Sequence, residues 1–286
     1  MPLAQTQRRL AHPGGRRFHR RAHRSGNLSP PRDYVSRNTS RRQSRATPMK
    51  HIRSFYQIPK QSAEDTALPV LLACLTAKAG GTLLDVGCFD GTKSILYAQA
   101  AKCAEVWGVD FLPDKLAEAR QRGLHTLEAD LNTDLPLPFP PASFDIIVCS
   151  EVIEHVFSPD DLLEEMARLL KPDGYILLTT PNLASWKNRL ALGLGWQPFA
   201  AEVSTRDRYG NPWATRGRPS GHIRLFTLCA LLELVRAIGL RPVRVDGVML
   251  RSPQRNLVGA LSRLGDTLFA RFPSLADRLI LRLEKA

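Results

Sequence analysis

No run of apolar residues in this chain approaches the roughly 20 that a membrane-spanning helix needs, so no membrane span is expected. The five cysteines, Cys74, Cys88, Cys103, Cys149 and Cys229, are scattered with no C-x-x-C pair. That spacing counts against a zinc site and against a disulfide framework. Apolar neighbours such as Ile147-Val148-Cys149 predict ordinary buried thiols in a reducing, cytoplasmic setting. The dinucleotide fingerprint G-x-G-x-x-G is also missing, which removes support for hydride-transfer cofactors. There is no internal repeat.

Acids are nearly absent from the first 50 residues, which hold 13 Lys and Arg against Asp33 alone. The remaining 236 residues hold 27 basic and 26 acidic side chains, so the net charge of +13 belongs to the N-terminal tail and not to the body. A nucleic-acid partner is therefore not expected of the body. Residues 1–48 are rich in Arg, His, Ser, Gly and Pro without apolar periodicity, and are expected to be a disordered extension. Their composition resembles a transit peptide, or a basic arm for nucleic acid or acidic lipid. The third reading, favoured here, is a start placed too early, because Met49-Lys50 leads straight into foldable sequence.

What is present from Ala63 onward is an alternation of helix and strand. The length of 286 residues and 43% hydrophobic content suit one large domain over 49–286. Helices are predicted at Ala67 to Ala77, Thr92 to Ala101, Pro113 to Arg122, Pro159 to Leu170, Leu225 to Ile238 and Asn256 to Phe269. Strands are predicted at Thr82 to Val86, Glu105 to Asp110, His125 to Ala129, Phe144 to Cys149, Tyr175 to Thr180, Val243 to Leu250 and Leu279 to Leu283. Lys171-Pro172-Asp173-Gly174 is read as a helix stop. Such alternation implies an α/β, doubly wound, mostly parallel sheet. Residues 182–221 break the rhythm with Trp186, Trp196, Phe199, Tyr209 and Trp213, and are expected to form a cap that shapes an acceptor pocket. Within it Arg206, Arg208, Arg216 and Arg218 either meet an acidic substrate or lie in a solvated loop. Residues 251–286 supply a last helix, which packs on the sheet or lies on a membrane surface, and a last strand.

The chemistry concentrates at three successive strand ends. Gly87 and Gly91 follow the first strand and open a helix, which allows close approach of backbone to a ligand. Asp110 ends the second strand, where an acid accepts from ribose hydroxyls. Asp130 follows the third, placed to accept from an adenine amino group. In open α/β sheets ligands bind beyond the carboxyl ends of the strands.

These residues resemble the motifs of class I S-adenosylmethionine-dependent methyltransferases: Leu84 to Gly91 the first, Val109-Asp110 the second, Ala129-Asp130 the third. Phe144 to Cys149 and Leu169 to Leu177 are similar to the fourth strand and the approach to the fifth. The resemblance spans residues 82–181, weakly to about Leu250. Phe89 stands where the family often has Gly. The resemblance implies a Rossmann-like seven-stranded sheet whose last strand is antiparallel. It implies S-adenosylmethionine as cofactor, held by Asp85, Gly87, Cys88, Gly91, Asp110, Phe111, Asp130, Leu131 and Glu151.

The stretch Glu151-Val152-Ile153-Glu154-His155 resembles that of ubiquinone-pathway O-methyltransferases. It implies methyl transfer to an oxygen of a small-molecule acceptor, with Glu154, His155 and His222 as catalytic candidates. If the stretch is helical, Glu151, Glu154 and His155 share one face. No metal is assigned. The alternative follows from a second similarity, to small-RNA 2′-O-methyltransferases, in which two Glu and two His hold a metal. A non-catalytic relative that only binds the cofactor is the other rival.

Overall fold

The computed structural model describes residues 67–211, 217–250 and 257–286. The expected extension at 1–48, Met49, Trp213, Arg216 and Asn256 lie outside the described residues. The chain runs through α1 (Leu68–Cys74), β1 (Thr82–Val86), α2 (Thr92–Ala101), β2 (Glu105–Asp110), α3 (Pro113–Gln121), β3 (His125–Glu128) and β4 (Phe144–Ser150). A 3₁₀ turn at Ile153–His155 leads to α4 (Pro159–Leu169) and β5 (Leu170–Pro181). Then follow α5 (Trp186–Gly193), α6 (Leu228–Ala237), β6 (Leu240–Val248), α7 (Leu257–Phe269) and β7 (Arg278–Lys285).

The seven strands form one sheet in the order β3-β2-β1-β4-β5-β7-β6. Pairings among β1 to β5 are parallel, whereas β7 runs antiparallel to both β5 and β6. This is the expected architecture, antiparallel last strand included. The order reverses between β1 and β4, which places the ligand crevice at their carboxyl ends.

Apolar runs rather than alternation mark a sheet covered on both faces. Accordingly Leu83, Ile146, Val148 and Tyr175 face Leu71, Tyr97, Ala98, Leu116 and Ala119 of α1, α2 and α3. Leu84, Val86, Ile147 and Cys149 face Leu162, Leu163, Met166 and Leu169 of α4 and Leu231 and Val235 of α6. In α4 the Ser158 Oγ accepts the Asp161 N–H at 3.3 Å, Pro159 opens the first turn, and Asp160 and Asp161 sit at the positive end. Its four fully buried apolar side chains each contribute about 1.5–3 kcal/mol, so Leu163→Ala is the change that would damage it most directly.

Strand β6 runs over Leu240–Val248, earlier than the expected Val243 to Leu250, and three further boundaries depart from the sequence expectation for reasons visible in the structure. Helix α1 stops at Cys74, not Ala77, because Leu75 turns extended and the Thr76 N–H donates to the Tyr175 hydroxyl of β5 at 2.9 Å. Lys171 to Gly174 is part of β5 as a bulge: the register passes from Phe144↔Leu170 to Ile146↔Tyr175. Lys171 Nζ anchors that bulge on Asp145 at 2.7 Å. A Cβ on Gly174 would sit 2.7 Å from the Asp145 carbonyl, so the close approach requires glycine. Helix α6 begins at Leu228, after Thr227, whose hydroxyl accepts from the Ala230 N–H at 3.3 Å.

Among its described residues, the segment 182–221 contains one helix, α5. Trp186 of α5 lies against Phe269 of α7, its ring tilted by 41° with centroids 5.8 Å apart, and donates its indole N–H to Asp266 at 3.0 Å. Among the described residues no helix is long and apolar enough to cross a membrane.

Candidate functional site

The strand after which the chain must turn sharply is β1, and the turn is built from left-handed backbone. Gly87 has φ +80°, Phe89 +52° and Gly91 +78°. At Gly87 a Cβ would collide with the Val152 side chain from the far side of the crevice, so only glycine fits. At Gly91, which caps α2, a Cβ would lie 3.0 Å from that of Ala119. Phe89 holds the same backbone region without being glycine. Its N–H donates to Asp110 Oδ2 at 2.9 Å, and Lys115 Nζ lies 5.0 Å from its ring centroid.

Asp110 ends β2 with its side chain in the crevice wall. Oδ2 takes the Phe89 N–H and Oδ1 the Leu112 N–H at 3.0 Å. Burial raises its pKa, opposed by the backbone donors of Phe89, Leu112 and Phe111. A carboxylate has about four acceptor sites, so these three backbone donors leave it capacity for a further hydroxyl. Asp85 differs: it is buried, Ser94 of α2 donates to its Oδ2 at 2.5 Å, and burial pushes its pKa up to about 7. Cys88 presents its sulfur to Gly108 and the core, and burial raises its thiol pKa. Only its backbone belongs to the turn.

Beyond β3, Asp130 Oδ1 accepts from the Asn132 N–H at 3.0 Å, closing the loop that carries half-buried Leu131. Asn132 Oδ1 accepts the Phe157 N–H at 2.7 Å. The loops after β3 and after β4 are thereby tied across the crevice.

The stretch after β4 is not an α-helix. Glu151 has φ +56°, and only Ile153–His155 form a 3₁₀ turn. The reason is tertiary: the Glu151 N–H donates to the Thr179 carbonyl at 3.1 Å, holding the residue to the end of β5. Glu151 Oε2 pairs with Arg278 at 3.0 Å and Oε1 accepts from the Thr179 hydroxyl at 3.1 Å. Glu151 therefore does not share a face with Glu154 and His155.

Glu154 and His155 do come together with His222. One ligand atom from each lies within 4.8 Å of the others. Glu154 is fully buried; Oε2 accepts from Thr180 Oγ1 at 3.0 Å, and Oε1 has no hydrogen-bond partner. Its pKa is raised well above the ordinary carboxylate range by burial, with Glu151 adding repulsion. His155 Nδ1 lies 3.1 Å from the Gly221 carbonyl, and His222 Nδ1 lies 3.0 Å from the Ala200 carbonyl. A carbonyl can only accept, so both rings carry their proton on Nδ1. His155 Nε2 is then 3.9 Å from Glu154 Oε1. Burial, and next His222, lower the His155 pKa to about 4.

Residues that the sequence did not single out hold this cluster. Glu202 accepts the N–H groups of Ser220, Gly221 and His222 at 2.6, 2.8 and 3.2 Å. The Glu154 carbonyl takes the Ile223 and Arg224 N–H groups at 2.8 and 3.0 Å. The adjacent Thr179-Thr180 at the end of an apolar strand was a legible signal; Glu202, 20 residues from His222, carried none. Of the cap cations, Arg208 turns inward, donating to Ser220 Oγ at 2.9 Å with Nε 3.9 Å from Glu202, whereas Arg206 is exposed.

The arrangement is a glycine cradle, an acid at the second strand end and a titratable cluster across the crevice, and it fits a nucleoside-bearing cofactor. Comparison with known proteins agrees. A family profile described as a methyltransferase domain matches residues 60–245. The ubiquinone biosynthesis O-methyltransferase of Idiomarina loihiensis is 37% identical over 179 residues, covering 59% of this chain and 65% of that protein, a little under two thirds of its length. The protein of the same name from Xanthomonas euvesicatoria is 36% identical over 195 residues, covering 65% and 72%.

Among solved structures, a methyltransferase dependent on S-adenosylmethionine from Mesorhizobium loti superposes with TM-score 0.52 at 19% identity, over 76% of this chain and 96% of that one. A Pyrococcus horikoshii protein gives 0.51 at 18%, over 83% and 99%. These structural likenesses establish the fold. The family match covers more than half of the chain, which therefore belongs to the methyltransferase-domain family and is a class I S-adenosylmethionine-dependent methyltransferase.

Proposed function

We propose that the protein methylates an oxygen of a small-molecule acceptor bound between the ends of β4 and β5 and the 182–221 segment. The observation that carries this reading is the convergence of Glu154, His155 and His222 within 4.8 Å. The relatives named ubiquinone biosynthesis O-methyltransferase support it, since their name specifies transfer to oxygen.

S-adenosylmethionine, when bound, supplies a methyl group already activated on a sulfonium. The chain has to bind, orient and exclude water. Gly87 and Gly91 admit the cofactor against backbone, Asp110 receives its ribose hydroxyls, and Asp130 its adenine amino group. Asp85 acts at one remove by fixing Ser94 and the start of α2. Across the crevice, His155 presents Nε2 as an acceptor because Nδ1 is committed to Gly221. That nitrogen would take the acceptor's hydroxyl proton, while the cofactor would supply the methyl group by cleavage of its carbon–sulfur bond and leave as the neutral thioether. His222 borders the same proton and fixes the hydroxyl.

Isotopically labelled cofactor, incubated with acceptor panels and analysed for the methylated atom, tests the reading. Label on oxygen that is lost in His155→Ala supports it; label confined to nitrogen or carbon overturns it. A second reading is favoured by the unpartnered Glu154 Oε1 beside two imidazoles: this set would hold a divalent cation that grips the acceptor hydroxyl. Loss of turnover on chelation, restored by added metal, selects it. Unchanged turnover after chelation leaves proton transfer to His155.

A further inference from the structure

Helix α7 faces the wrong way for water. Leu257, Leu261, Leu264 and Leu268 follow i, i+4, i+7, i+11 spacing and fall within an arc of about 60°. They are 75%, 59%, 57% and 62% exposed. The opposite side of the helix carries Gly259, Ser262, Asp266 and Phe269, and that side is the one turned to the protein. Gly259 and Asp266 are buried. A Cβ on Gly265 would lie 2.7 Å from the Trp186 ring. Asp266 is held by the Trp186 indole at 3.0 Å and by Lys187 Nζ at 2.9 Å.

The mounting is thus specific, and it displays the leucines outward. A continuous exposed stripe of this kind marks an interaction surface. Phe272, just past the helix, Leu190 and Leu192 of α5, to which α7 is fastened through Trp186, and Leu194 just after α5 are exposed as well.

Charge identifies the occupant. Between Leu250 and Phe272 the only acid is Asp266, which is turned inward and engaged. The same stretch of sequence holds Arg251, Arg255, Arg263 and Arg271, and Arg263 and Arg271 are exposed. The outward chemistry is leucine with guanidinium and no carboxylate. Two copies joined through this stripe would bring only cations to the rim. An anionic lipid surface satisfies both parts: leucines enter the acyl boundary while arginines meet headgroup phosphates.

We propose that α7 is an in-plane anchor that seats the protein on an anionic membrane surface through Leu257, Leu261, Leu264 and Leu268. This stands apart from the reading of the acceptor site. It also gives the helix the orientation that a fold on the sheet alone would not select.

The test is co-sedimentation of the full chain with vesicles of phosphatidylcholine, with and without phosphatidylglycerol, at physiological salt. Wild type is compared with a variant carrying Ser at the four leucine positions. Those side chains are exposed, so unfolding temperature and cofactor binding should be retained. Wild type should pellet with the anionic vesicles, and the variant should lose on the order of tenfold or more in partitioning. The variant keeps the basic residues 1–48, so equal binding by both proteins would assign attachment to that segment and overturn the proposal. Failure of wild type to bind, with a dimer that the leucine variant loses in sedimentation equilibrium, would overturn it in favour of a second copy. Should the fourfold variant not fold, the single substitution Leu264→Asp is read in the same way.

Discussion

Phe89 donates its backbone N–H to Asp110 Oδ2 at 2.9 Å, and does so from a left-handed backbone at φ +52°. The glycine turn after β1 is thereby latched to the acid at the end of β2 by a residue that resists the required conformation. A non-glycine residue there costs on the order of 1 kcal/mol, partly offset by the ammonium of Lys115 over the ring. Phe89→Gly should leave the unfolding free energy within about 1 kcal/mol of wild type. Phe89→Val, β-branched at positive φ, should lower it by about 1–2 kcal/mol. Thermal unfolding separates the two; a Val variant as stable as the Gly variant would show that the turn does not hold this geometry.

Removing the acceptor end of the latch has a different signature. Asp110→Ala leaves the Phe89 and Leu112 N–H groups without their carboxylate, at a cost of about 1–3 kcal/mol. It also removes the proposed ribose contact. Calorimetry should find S-adenosylmethionine binding abolished while the protein stays folded at 25 °C. Retained affinity would show that the ribose is held elsewhere.

Asp85 sets a pH dependence. Its folded pKa is raised to about 7 by burial, against an ordinary value of 3.8. A carboxyl whose pKa rises on folding keeps its proton longer in the folded state. Its contribution is intact below about pH 4 and lost as pH climbs toward 7. Across that window wild type should lose on the order of a few kcal/mol relative to Asp85→Asn, whose amide can still accept from Ser94. Denaturant titrations at pH 5 and pH 8 measure the difference; parallel pH profiles would rule out a buried, proton-binding Asp85.

Much of this was legible because the signals are local. Apolar runs of β1, β2 and β4, the Pro and Asp that open α3 and α4, and the glycines at 87 and 91 act within a few residues of themselves. What could not be read depends on distant partners. The spacing of Glu151, Glu154 and His155 allows a helical face, but a hydrogen bond from Glu151 to β5 forbids it. The aromatic residues of 182–221 suggest a self-contained cap, yet Trp186 packs on α7, with its hydrogen-bond partner Asp266 80 residues away. Helix α7 shows the limit most clearly: its amphipathic period is plain in the sequence, and which face turns inward is decided by Trp186 and Lys187.

Glu202 governs the catalytic candidates without belonging to them. Its carboxylate gathers three successive N–H groups, including that of Gly221, whose carbonyl orients His155, and that of His222 itself. Glu202→Ala should release both rings together. With an acceptor in hand, kcat should fall about 10- to 100-fold, while cofactor affinity changes less than about twofold because none of these atoms borders the glycine turn. Nitrogen-15 NMR supplies the readout that general destabilisation would not move: His155 and His222 should lose their fixed Nδ1–H tautomers in the Ala variant and regain them partly in Glu202→Gln. Unaltered tautomers would assign the orientation to other contacts.

The mounting of α7 makes a paired prediction about two glycines. At Gly265 a Cβ would lie 2.7 Å from the Trp186 ring, which is pinned by its bond to Asp266 and cannot recede without breaking it. Gly265→Ala should therefore cost about 1–3 kcal/mol through overpacking. Gly193, at the end of α5, meets nothing within 4 Å where a Cβ would stand, and its backbone is not left-handed. Gly193→Ala should be neutral or stabilise by up to about 1 kcal/mol, because alanine loses less entropy in a helix. Hydrogen exchange locates the effect: the first substitution should deprotect α7 selectively, the second should not. Equal exchange of α7 in both proteins would mean that Trp186 is not what holds the helix, and the outward leucines would then need another explanation.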